Sequence, residues 1–126
     1  MIRGIFFDLG GTLLSYKNVN KTTLSILEEA IIRSDKKFDK EKIKTSYRES
    51  SSIISLQYAR KKYYLHEHFF NDVFLMFIKK LGVDENPELL SWYTKHHREK
   101  IIDCLELKTD CIETLNYIRS NGIYIS

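Results

Sequence analysis

Apolar residues fall in two spacings along this chain. Ile5, Phe6 and Phe7 form a short unbroken run near the start, the pattern of a strand buried on both faces of a parallel sheet, and the run stops at Asp8. Gly10, Gly11 and Thr12 follow as turn residues, and a polar stretch from Ser15 to Asn20 ends the segment. The spacing then becomes helical. Leu24, Leu27 and Ile31 make a first stripe, and Ile43, Tyr47, Ile54 and Tyr58 a second, interrupted by Ser50 to Ser52. Phe70, Val73, Phe74, Phe77, Ile78 and Leu81 give the strongest stripe, closed by Gly82. Asn86 suits a helix cap and Pro87 a first helical position, ahead of Leu90, Tyr93, His97 and Ile101. After a turn at Leu105 to Thr109, Asp110 and Glu113 have capping-box spacing, Cys111, Leu115 and Ile118 share a face, and Gly122 precedes a second strand. The pattern predicts an α/β fold whose strands lie at the two ends and whose middle is all helix.

Composition narrows the partners. The 126 residues carry 20 Lys and Arg against 17 Asp and Glu, a net charge of +3 that is too small and too dispersed for a polyanion-binding surface. The interleaved cations and rings from Tyr58 to Tyr64 resemble a single-strand-binding pattern, yet they read better as a solvated helix end, and no nucleic-acid partner is expected. The first apolar run is too short for a signal peptide or a membrane helix. Cys104 and Cys111 are then expected to be reduced in a cytoplasmic protein with no membrane contact. His66 and His68 stand two apart, where helical zinc ligands stand four apart, so they read as surface residues. His96 reads the same way, whereas His97 lies on an apolar stripe, half-buried or facing a cleft.

Asp8 carries the chemistry. In parallel α/β sheets ligands bind beyond the carboxyl ends of the strands, and glycines there let backbone approach a phosphate-like group. Ile5-Phe6-Phe7-Asp8-Leu9-Gly10-Gly11-Thr12-Leu13 resembles the first motif of the haloacid dehalogenase superfamily, a hydrophobic strand ending in Asp-x-Asp-Gly-Thr-Leu/Val. Asp8, Gly11, Thr12 and Leu13 match, and Gly10 replaces the second aspartate. The resemblance implies that Asp8 is the nucleophile and a magnesium ligand, that the backbone carbonyl of Gly10 is a second ligand, and that Gly11 and Thr12 hold the phosphoryl group. It also implies a Rossmann-like parallel-sheet core, incomplete here, formed by residues 1–16 and 106–126, with residues 17–105 inserted as a helical cap.

The function implied is hydrolysis of a small phosphate ester through an aspartyl-phosphate. Gly10 removes the acid–base group that the second aspartate supplies, so two alternatives stand beside it. One is a dehalogenase-like or phosphonatase-like hydrolase of a carbon bond, and the other is a non-catalytic binding module on the same fold. The family's second-motif Ser or Thr, third-motif Lys and later acidic residues have no counterpart in these residues, and Ser126 stands too early to be the first of them. The chain is therefore expected to behave as an N-terminal portion, inactive alone, that needs a further core segment, a second chain or self-association to complete its sheet.

Overall fold

The computed structural model describes all 126 residues. In chain order the elements are β1 (Gly4–Ile5), β2 (Leu14–Ser15), α1 (Val19–Arg33), α2 (Lys40–Tyr58), α3 (His66–Lys80), α4 (Pro87–Cys104), β3 (Glu106–Leu107), α5 (Cys111–Ser120) and β4 (Tyr124–Ile125). No helix is long and apolar enough to cross a membrane.

Helices α1 to α4 close a ring of contacts, α1 on α2 and α4, and α3 on α2 and α4. Their stripes meet in one core of Ile26, Leu27, Ala30, Ile31, Ile43, Phe74, Phe77, Ile78, Leu81, Val83, Leu89 and Tyr93. Ile54, Tyr58 and Val73 form a smaller cluster. The serines of α2 do not interrupt it: Ser50 is fully buried on the stripe, and its hydroxyl donates to the Ser46 carbonyl at 2.8 Å, which satisfies it inside the helix. Asn86 caps α4 by accepting from the Glu88 amide at 2.8 Å, with Pro87 in the first turn.

The strand-bearing part is thin. β1 and β4 pair in parallel, Gly4 with Tyr124 and Ile5 with Ile125. The ladder extends past the two-residue strands, from Tyr124 N–H to the Arg3 carbonyl at 3.0 Å and from Phe7 N–H to the Ser126 carbonyl at 2.8 Å. α5 packs on β4 and buries Cys111 and Ile118. The capping box expected at its start does not form. Asp110 has φ −100° and ψ 3°, not the extended backbone of a capping residue, and its side chain accepts no cap bond. The Cys111 amide instead closes a turn onto the Lys108 carbonyl at 3.0 Å.

Between these parts lies an antiparallel ribbon of β2 and β3, pairing Leu14 with Leu107 and Ser15 with Glu106. Ser15 and residues 106–107, expected in turns, are thus in strands. Lys17 reaches Glu106 at 2.5 Å, and Asn18 Nδ2 donates to Glu106 Oε1 at 3.0 Å and to the Cys104 carbonyl at 3.5 Å. The Lys17 bond holds the Glu106 carboxyl below its ordinary pKa. The two passages of the chain into and out of the helical part are therefore tied to each other.

Candidate functional site

Phe7 makes the last ladder bond of the β1 side, and Asp8 follows it directly. The carboxylate is exposed and takes part in no hydrogen bond or ion pair. The loop from Leu9 to Leu14 is closed by its own backbone: Leu13 and Leu14 both donate to the Leu9 carbonyl, at 3.1 and 3.0 Å, and Gly11 donates to the Leu14 carbonyl at 2.9 Å. Gly11 has φ +78°, a left-handed value that only glycine adopts freely, and the space beside it is open. Thr12 is exposed at the tip of the turn. Asp8, Gly10, Gly11 and Thr12 therefore share one short loop past the end of a parallel strand pair.

This closure leaves specific backbone groups unused. The amides of Leu9, Gly10 and Thr12 donate to no protein acceptor, and the carbonyl of Gly10 accepts from no donor. Free amides in a tight turn are donors for phosphate oxygens. The free Asp8 carboxylate and the free carbonyl two residues on are both hard oxygen donors, the type that magnesium takes. No cluster of three or more His, Cys, Asp or Glu side chains that could hold a metal ion occurs in the chain.

Gly10 has a reason that the sequence did not reveal. A Cβ on Gly10 would overlap the hydroxyl of Tyr16 and stand 2.7 Å from its Cζ and 3.1 Å from its Cε2. The glycine makes room for a phenol, beyond any freedom it gives an approaching ligand. Tyr16 lies just after β2, with its carbonyl accepting from the Val19 amide at 3.0 Å, and its hydroxyl bonds to no protein group. Sequence reading passed over it because it falls in a polar turn with no periodic pattern.

The histidines take other places. His97 is 9% exposed and packs its ring 4.7 Å from Phe70 and 5.2 Å from Tyr93. Burial pushes its pKa down to about 4. It lines a cleft of about 320 Å³ between α3 and α4 with His66, Glu67, Phe70 and Arg98, and no residue of the Asp8 loop lines that cleft. His66 stacks on Phe70. In the Tyr58 to Tyr64 segment, Lys61 lies 3.6 Å over the Tyr58 ring, and the Tyr58 hydroxyl donates to Asp72 at 2.5 Å. That bond, with burial, pushes the phenol up to about 12, and the ring packs in the cluster with Ile54 and Val73.

No known protein-family profile matches the chain, and no curated protein matches it in sequence.

Proposed function

We propose that this chain carries the nucleophile end of a magnesium-dependent phosphate-ester hydrolase of the haloacid dehalogenase type, with α1 to α4 as its cap. The observation that supports this reading best is the loop after β1. It presents an unpaired exposed carboxylate at the end of a parallel strand, beside unclaimed amides and an unclaimed carbonyl. Asp8 attacks phosphorus and carries the phosphoryl group, Gly11 shapes the turn, and Thr12 and the free amides receive the phosphoryl oxygens. Asp8 and the Gly10 carbonyl would be the groups to hold magnesium, which would supply positive charge against the phosphoryl oxygens.

The exposed apolar surface of the β1–β4 pair fits this reading. Phe6 is 87% and Tyr124 82% exposed, which suits a sheet covered by further core strands, from the same polypeptide, a second chain or a second copy. Two free thiols suit a reducing compartment, and we read the protein as cytoplasmic.

The test uses the native full-length protein with p-nitrophenyl phosphate. Turnover is expected with magnesium and not with EDTA, and Asp8→Asn is expected to abolish it. Unchanged turnover in Asp8→Asn removes the covalent mechanism.

A further inference from the structure

We propose that the Tyr16 hydroxyl donates the proton to the leaving oxygen in this site and takes one back from water, the work of the side chain that Gly10 lacks. The role rests on the hydrolase reading above. Three observations place it on Tyr16. First, its hydroxyl occupies the position from which a residue-10 side chain would start, in the same loop as Asp8 and two residues beyond it.

Second, the hydroxyl is unspent. It bonds to no protein group, while the other polar side chains of its turn are engaged: Lys17 with Glu106, Asn18 with Glu106 and the Cys104 carbonyl, and Ser15 Oγ with the Lys17 amide at 3.3 Å. Third, its backbone is anchored. β2 pairs with β3 on one side, and the Tyr16 carbonyl accepts from Val19 at the start of α1 on the other. The phenol on that anchored backbone is 56% exposed and lies against Gly10, and tyrosine is among the side chains that carry proton transfer in enzymes.

The chemistry balances. A carboxylate oxygen of Asp8 forms a bond to phosphorus as the bond from phosphorus to the ester oxygen breaks. The electron pair leaves on that oxygen, the Tyr16 O–H gives it a proton, and the alcohol departs. Water then adds to phosphorus and gives one proton to the Tyr16 phenolate. The bond between phosphorus and the Asp8 oxygen breaks with its electron pair returning to the carboxylate, and phosphate leaves. Ester and water have become alcohol and phosphate, with Asp8 and Tyr16 restored.

A proton donor matters most when the leaving group is a poor one, and this decides the experiment. Tyr16→Phe keeps the ring and removes only the hydroxyl. In the full-length protein it is expected to lower kcat/KM for an alkyl phosphate by about 10²-fold while changing p-nitrophenyl phosphate turnover by no more than about threefold. Tyr16→Ala clears the space beside residue 10, so adding Gly10→Asp in that background is expected to return most of the lost alkyl-ester turnover. An equal effect of Tyr16→Phe on both esters, or no effect on either, overturns the role while an inactive Asp8→Asn leaves the hydrolase standing. A wild type that turns over neither ester overturns the hydrolase reading, and this role with it.

Discussion

Phe74 and Phe6 have the same side chain and opposite surroundings. Phe74 is fully buried in the four-helix part, stacked 3.8 Å from Tyr93, while Phe6 on the strand part is 87% exposed. A helix satisfies its backbone internally and needs only one covered stripe, so α1 to α4 can bury their apolar residues against each other. A strand needs neighbours for both its edges and both its faces. β1 has one neighbour, β4, and Ile2, Leu9 and Tyr124 are left exposed with Phe6. The part that carries Asp8 is therefore the less self-sufficient one, while the better-packed part is the helical middle of the chain.

Hydrogen exchange gives the widest separation between the two. On a demonstrated monomer the amides of Phe74, Phe77 and Ile78 are expected to show protection at least about 10³-fold greater than those of Phe7, Tyr124 and Ser126. Equal protection of Phe7 would break the comparison, because it would mean that two strands and α5 hold without further cover.

Truncation at the two phenylalanines comes next. Phe74→Ala is expected to cost about 3–5 kcal/mol in a urea titration, since it opens a cavity among Phe77, Tyr93 and their neighbours. Phe6→Ala is expected to stay within about 0.5 kcal/mol, because its ring already meets water. A large loss from Phe6→Ala would mean that the exposed strand face is covered in solution, and sedimentation would then identify a second copy or its absence.

The same division governs what could be read from the chain. The helices were legible because period and punctuation agree: Asn86 caps, Pro87 starts, and the Phe70 to Leu81 stripe meets its partners as spaced. The apolar run before Asp8 located the first strand but not its burial: β1 is only Gly4–Ile5, and Phe6, expected to be covered, is 87% exposed because β1 has one neighbour. The β2–β3 ribbon was not legible, because two residues a side are too few to carry a period. Nor was Tyr16, whose meaning lies in a contact with Gly10 across a turn whose course the backbone bonds at Leu9 and Leu14 determine. Asp110 misled because capping-box spacing says nothing of backbone angle, and its φ and ψ are not those of a cap.

The helical part also has a pH dependence set by a buried histidine. Burial holds the His97 pKa at about 4, against an unfolded value near 6.5, so as pH falls the unfolded chain takes the proton first. The stability tied to neutral His97 is complete above about pH 6.5 and is lost as pH falls toward about 4, by roughly 2–3 kcal/mol. Urea midpoints at pH 7 and 4.5 measure it. His97→Phe keeps a ring against Phe70 and Tyr93 and is expected to flatten that part of the profile. An unchanged profile would assign the acid sensitivity to the carboxylates instead.

A further effect has the opposite sign and tests how complete the helical core is. Tyr93 is fully buried, its ring lies 7° from parallel with Phe74, and its hydroxyl makes no hydrogen bond of good geometry, with the Tyr47 hydroxyl close enough to interact. Burial pushes that phenol well above its ordinary pKa, so it stays neutral and carries an unmet polar group in an apolar interior. Tyr93→Phe keeps the stack and removes the orphan oxygen, and is expected to stabilise the protein by about 1 kcal/mol. In a chain of this size that raises the thermal midpoint by about 4 °C. A fall in the midpoint would mean that the Tyr47 hydroxyl meets Tyr93 in solution. The core would then be fully paired, and the contrast with the strand part wider than the buried areas alone imply.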